Sequence, residues 1–252
     1  MTRGFYDLTS GMLSQTRRLD VVGNNMTNLT TAGYKQETYT DTTFQEVLLS
    51  RTGNVDKSNP APIGQASYML VPSEMYINHD QGIVEETGLT LDFAIYGDGY
   101  FAIETDNGVE YTRNGNFSLD NEGYLYLPNH GRVLGMDQQP IHLDTDYIEA
   151  DDAGRIYNAA DETLYYGQIG VFTFADPQQL VKNESGLFGA NGQQAAASNA
   201  QVMWKNLENS NVDMIQELSR MMTAQRALQG ASTVLKLYDG VLTKATSDVG
   251  RL

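Results

Sequence analysis

Cysteine is absent from the 252 residues, which excludes disulfides, thiolate metal sites and cysteine nucleophiles. Long apolar runs are absent too; no window approaches the roughly 18 residues that a membrane span needs. Histidine occurs three times (His79, His130, His142), scattered and without an HExxH pattern, so no zinc site is expected. Basic residues are scarce, 16 against 32 acids, and the net charge of −16 argues against nucleic acid and anionic membrane surfaces as partners. The opening segment, residues 1–12, lacks the uninterrupted apolar core of a cleavable signal peptide. With 40% hydrophobic residues and a mean hydropathy of −0.40, the chain is slightly polar. At this length it still buries roughly 70–75% of its extended surface on folding.

The acidity is unevenly placed. Residues 1–35 carry +2 and residues 212–252 carry +1, so the stretch between them holds −19 of the total of −16. The two near-neutral ends have heptad periodicity. Phe5, Leu8, Met12, Leu19, Val22, Met26 and Leu29 follow it, with Gln15 as the one break. Met214, Met221, Leu228, Leu235 and Leu242 stand seven apart at the other end. Ala224, Ala231, Tyr238 and Ala245 fill the partner positions, and Leu218 flanks the exception at Glu217. A strict period of seven marks a narrow seam for another helix. Ser210 or Asn211 suits the cap of the second helix, and Gly33 suits the stop of the first. A helix from about 211 to 246 would run roughly 50 Å, longer than a domain of this size is wide. Gly11, Gly23 and the Asn/Thr-rich run after it weaken the first helix. Either that helix orders only when partners cover its seam, or the two ends form an ordinary intramolecular coiled coil.

The middle predicts β structure. Leu91, Phe93 and Ile95 alternate with Asp92, Ala94 and Tyr96 as in a half-buried strand, and Asp106-Asn107-Gly108 is a hairpin turn. Short apolar runs separated by turn residues continue to about 174. The expected fold is α+β: a discontinuous coiled-coil helical domain from both termini and one central all-β domain. Its parts are a helix over 1–35, an extended connector over 36–75, a β domain over 76–200 and a helix over 201–252. A search for chemistry returns little. Gly97-Asp98-Gly99 reads as a turn rather than a dinucleotide fingerprint, and Asp144, Asp146, Asp151 and Asp152 read as a solvated acidic face. No catalytic, cofactor or metal site is expected.

Four ordered motifs then carry a resemblance. Val22-Gly23-Asn24-Asn25-Met26-Thr27-Asn28 with Thr31-Ala32-Gly33-Tyr34-Lys35, Thr87 to Phe101, Tyr111 to Phe117 with Gly123-Tyr124-Leu125, and Leu207 to Asp213 with Gln225-Arg226-Ala227 resemble the bacterial flagellar rod and hook axial proteins. The resemblance implies a structural rod subunit, not an enzyme, that needs no cofactor. It implies that both terminal helices pack around an axial channel, with the β domain outward. It also implies helical self-association, contacts with other rod and hook proteins, and export by the flagellar export apparatus to the basal body without a cleavable signal. Assembly residues are expected on both helices. They are Phe5, Leu8, Met12, Leu19, Val22, Met26 and Leu29, with Met214, Leu218, Met221, Leu228, Leu235, Tyr238 and Leu242. Asn24, Asn25 and Asn28 either fix register by amide hydrogen bonds or cap the helix end. A hook or hook-junction subunit is the alternative within the class. An acidic, secreted, β-rich carbohydrate-active enzyme is the alternative outside it.

Overall fold

The poor helix formers Thr27, Asn28, Thr30 and Thr31 end the first helix early. In the computed structural model, which describes residues 3–43, 47–51, 61–66, 70–183, 185–198 and 200–249, α1 spans Arg3–Thr27 and turns occupy 28–33. Asn28 and Leu29, inside the helix expected over 1–35, therefore lie beyond α1. The second helix, α2, spans Met214–Val249. It starts three residues after Asn211, because the Asn211 side chain is engaged elsewhere. Its 36 residues measure about 54 Å. Neither helix is long and apolar enough to cross a membrane.

The described residues fall into two compact units. One comprises residues within 1–26, 37–76 and 214–252. Besides the helices it holds β1 (Glu37–Thr43), β2 (Val47–Arg51), β3 (Ala61–Ala66) and β4 (Leu70–Ile77). The stretch expected as a connector is thus paired, β1 with β4 and β2 with β3. Its prolines do not prevent this. Both strands of a two-stranded ribbon are edges, and Pro62 sits beside the register shift opposite Ser50.

The other unit comprises 27–36 and 77–213. Its first strands are β5 (Val84–Glu86), β6 (Phe93–Tyr96), β7 (Tyr100–Thr105), β8 (Gly108–Thr112), β9 (Ser118–Leu119), β10 (Leu125–Leu127) and β11 (Gly131–Val133). There follow β12 (Ile148–Ala150), β13 (Arg155–Asn158), β14 (Asp161–Gln168), β15 (Val171–Thr173), β16 (Val181–Lys182), β17 (Phe188–Gly189) and β18 (Ala196–Ala197). The last are β19 (Gln201–Trp204) and β20 (Asn206–Glu208). One sheet runs β16-β17-β8-β7-β11-β10-β9, with β15 also on β7 and β18 on β15. β12-β13-β14 form a second sheet. β19 pairs with β6 and β20 with β5, so residues 201–208 are strands ahead of α2.

β7 is buried on both faces. Phe101 and Ile103 enter one apolar cluster with Phe93, Leu125 and Ile156, while Tyr100 and Ala102 enter another with Phe172 and Phe188. β6 departs from the half-buried expectation in the same way: Phe93, Ala94 and Ile95 are all buried. Ala94, which alternation assigned to water, is fully buried beside Met203 of β19, while Tyr96 on the same alternating set stays exposed.

Two glycines permit close approach. A Cβ on Gly33, whose φ is +68°, would overlap the backbone at Arg113 and Asn114, and one on Gly115 would overlap the Phe93 carbonyl. Around Gly11, in the middle of α1, there is open space. Gly115→Ala should therefore destabilise the β unit by about 3 kcal/mol. Gly11→Ala should strengthen α1 by about 1 kcal/mol. Urea unfolding followed by Trp204 fluorescence reads the first; far-UV circular dichroism reads the second.

Candidate functional site

In the helical unit, α1 turns a largely polar face to β1. Ser14 Oγ donates to Asp41 Oδ1 at 2.7 Å and Arg18 Nη2 to Asp41 Oδ2 at 2.9 Å. Asn25, fully buried, donates through Nδ2 to the Glu37 carbonyl at 2.8 Å, and its Oδ1 accepts from the Glu37 N–H at 3.0 Å. The side-chain amide thereby imitates a neighbouring strand. Ser14, Arg18, Val21 and Asn25 stand four, three and four residues apart, one stripe of a helix.

The heptad residues flank that stripe. Val22 is buried, Leu8, Met12, Leu19 and Met26 are half-buried, and Phe5 is exposed. Asn24 is exposed, and Asn28 accepts from Thr31 Oγ1 at 3.2 Å. On α2, Ala224 is buried and Leu218, Met221, Leu228, Leu235, Tyr238 and Leu242 are half-buried, whereas Met214 is about half exposed. Glu217, the break in the heptad, is fully buried and accepts from Arg220 Nη1 at 2.7 Å. The far side of α2 is apolar as well: Ile215, Met222, Val234, Leu237 and Val241 are about half or more exposed. A helix that is apolar on two sides is suited to burial between neighbours, not to lying on one surface.

In the β unit three of the four sequence motifs meet at Glu208, and the Thr87–Phe101 motif reaches them through the Gly97 carbonyl on Arg113. Its carboxylate, fully buried, accepts from Lys35 Nζ at 2.6 Å through Oε1 and from Arg113 Nη1 at 3.1 Å through Oε2. Gly82 N–H donates to Oε1 at 2.9 Å, and Gly33 N–H donates to the Glu208 carbonyl at 2.7 Å. Lys35 and Arg113 are themselves buried; Lys35 also donates to the Asp80 carbonyl and Arg113 to that of Gly97. Burial pulls the Lys35 ammonium below its ordinary value, opposed chiefly by Glu208. Asn211 extends the knot. Its Oδ1 accepts from Gln36 N–H, and its Nδ2 donates to the carbonyls of Asn78 and Asp80. Tyr34, beside Lys35, holds Lys182 Nζ 4.0 Å from its ring centre. Asp92, also buried, accepts from Thr87 Oγ1 and Asn116 Nδ2.

His79 and Tyr100 adjoin this knot. Their Nδ1 and Oη lie 2.7 Å apart. Burial, together with the positive charge of Lys35 and Arg113, lowers the His79 pKa to about 4, and burial raises that of Tyr100 to about 12. The acids of the middle serve turns instead. Asp120 Oδ1 accepts from the N–H groups of Glu122 and Tyr124 while Oδ2 pairs with Arg132, and Asp151 Oδ1 accepts from Ala153 and Arg155. Asp144 and Asp146 are exposed. No group of three metal-ligating side chains occurs among the described residues. Lys35, Arg113, Glu208 and Asn211 stood inside the motifs but carried no local sign of a shared site.

Two family models match: residues 94–158 match the flagellar hook protein FlgE/F/G D1 domain, and residues 205–248 match the flagellar basal body rod FlgEFG protein C-terminal region. The chain is 35% identical to the flagellar basal-body rod protein FlgG of Bacillus subtilis, covering 96% of this chain and 97% of that one. It is 33% identical to FlgG of Agrobacterium fabrum, over 91% and 93%. It is 26% identical to the flagellar hook-basal body complex protein FlhO of B. subtilis, over the whole of both.

Removing the Glu208 carboxylate leaves two buried cations unmatched, so Glu208→Ala should cost about 3–5 kcal/mol in urea unfolding of the β unit. His79 supplies a pH dependence. An unfolded His titrates near 6.5 and the folded one near 4, so the unfolded chain binds more protons between those values. Stability should fall as pH drops from 6.5 to 4, by at most about 3 kcal/mol from this group. Subtracting the profile of His79→Gln from that of the unaltered chain isolates the contribution.

Proposed function

From the premise that the chain belongs to the flagellar basal-body rod protein family, and is a structural subunit of the rod and not an enzyme, we propose that it polymerises helically through its terminal helices into a hollow shaft that transmits torque. The observation that carries this reading is the pair of apolar stripes on α2: one half-buried in heptad register, the other exposed. The half-buried heptads of α1 and α2 form a two-helix coiled coil, and the remaining apolar surface is covered by other copies. Each large side chain fully buried there contributes about 2–5 kcal/mol. Contacts between unlike surfaces that do not close into a ring continue as a helix.

The β unit, which carries most of the negative charge, faces outward and leaves the near-neutral helices to the packed interior. Neighbouring rod and hook proteins continue the shaft at its ends. The chain reaches the basal body unfolded, through the flagellar export apparatus. A polypeptide free of disulfides and with a weak first helix is compatible with threading.

Leu228→Glu together with Leu235→Glu places two carboxylates on the heptad stripe. In a host lacking its own copy, this variant should be made and exported yet give no motility, with basal bodies ending short of the rod's full length in electron micrographs. The Trp204-detected unfolding of its β unit should be unchanged. Full-length rods from this variant would refute the reading.

A further inference from the structure

Beside the turn that joins β12 to β13, the β unit has a cavity of about 280 Å³. Its lining includes Met136, Asp152, Ile169, Val171, Ala200 and Gln201. Ile169 and Val171 are buried, Met136 and Ala200 half-buried, and Asp152 and Gln201 exposed. An apolar floor thus opens to water past a carboxylate and an amide. No side-chain hydrogen bond or ion pair engages Asp152 or Gln201 among the described residues. The space falls just below the roughly 300–1,000 Å³ of small-molecule sites, so it is the size of one inserted side chain. Lysine and arginine match it, with an apolar stem for the floor and a charged head for the carboxylate at the mouth.

The adjoining sheet extends the same chemistry. Tyr157 of β13 and Tyr165 of β14 are paired in register, with ring centres 5.6 Å apart and planes tilted by 52°. Tyr165 is 53% exposed, and Glu149 of β12 stands opposite Tyr157 on its other side. The alternate positions, Ile148 and Ile156, are buried in the core, so the tyrosines and Glu149 share the outer face. Gln168, three residues after Tyr165, lines the cavity and donates through Nε2 to the Ala153 carbonyl at 2.7 Å. Sheet face and cavity therefore meet at one turn. Burial raises the Tyr165 phenol pKa, and Tyr157, Asp137 and Asp151 add to the rise against Arg155. Asp137, Glu149, Asp151 and Asp152 thus stand around this surface against Arg155, whose Nη1 lies 3.8 Å from Asp151 Oδ2.

We propose that this surface docks a basic segment of a different protein, one lysine or arginine entering the cavity toward Asp152 and a guanidinium stacking on Tyr165 and Tyr157. Charge selects the occupant. Nucleic acid and anionic lipid are repelled. A second copy is a poor match, because its residues 36–211 carry −19 themselves and its helical ends are near neutral. Tilted, partly exposed tyrosines beside carboxylates favour a cation that brings a π-face or an ammonium, as a basic peptide does. The docking surface lies within the β unit, so it does not depend on assembly through the helices.

The test adds a hexaarginine peptide, carrying a photoreactive benzoylphenylalanine at its centre, to the purified full chain at physiological ionic strength. Cross-links made by light and mapped by mass spectrometry should fall on residues 136–137, 152–157, 165–168 or 198–201. By fluorescence anisotropy, Asp152→Asn should weaken binding about tenfold and Tyr165→Ala about threefold. Asp106→Asn, at an exposed acid of the β7–β8 hairpin, should change it less than about twofold. All three variants should keep the Trp204-detected unfolding of the unaltered chain, and the same peptide with citrulline in place of arginine should not bind. Cross-links scattered over the acidic surface, or equal losses from Asp152→Asn and Asp106→Asn, would overturn the proposal, because both report charge without a site. Sedimentation in which Asp152→Asn impairs self-association while peptide binding is unchanged would also overturn it, by giving the groove to a second copy.

Discussion

A carboxylate removed from water has to be matched from every direction, and at Glu208 that condition organises the β unit. Isolated, the buried charge would be untenable; with Lys35, Arg113 and the Gly82 N–H around it, the ion is held by groups from three separate stretches of chain. Lys35 stands eight residues after α1 ends, and Glu208 stands six before α2 begins. One ion cluster therefore joins the chain segment that follows α1 to the one that precedes α2. The glycine whose φ is positive and whose Cβ would strike Arg113 is Gly33, in the turn that delivers Lys35. Turn, ion pair and strand pairing β5–β20 are parts of a single arrangement.

Much of this was legible in the sequence, and the illegible parts share a cause. The period of seven located both helices, and alternation with turn residues located the β middle, because each signal is local. The Lys35–Glu208 pair spans 173 residues and Arg113–Glu208 spans 95, separations at which no periodicity operates. Their residues were visible only as members of motifs. Asn211 illustrates the limit from the other side: by local rules it caps a helix, but its amide ties Gln36, Asn78 and Asp80 together, so the helix begins later. In α1, attention to apolar spacing passed over Ser14 and Arg18, whose polar stripe seats β1. Residues 36–75 read as a connector because prolines interrupt them, though a ribbon of two edge strands tolerates proline.

The division of charge follows the division of labour. Carboxylates of the middle hold turns and face water, where repulsion is screened and the backbone N–H groups they accept are satisfied. The terminal segments are near neutral, and α2 is apolar on two sides, which is the composition of an element meant for burial. Glu217 is the exception that the helical unit absorbs by pairing it with Arg220 one turn on.

Hydroxyl-radical footprinting of Met222 and Leu237, in the free chain and in rods isolated from cells, addresses the central claim directly. These side chains lie on the exposed stripe of α2, away from the heptad residues. Both should be labelled in the free chain and shielded in the rod, with Tyr147 of the β unit, exposed in the free chain, serving as the reference. Equal labelling of Met222 and Leu237 in the two states would contradict it, because a rod held together by its helices could not leave that stripe in water.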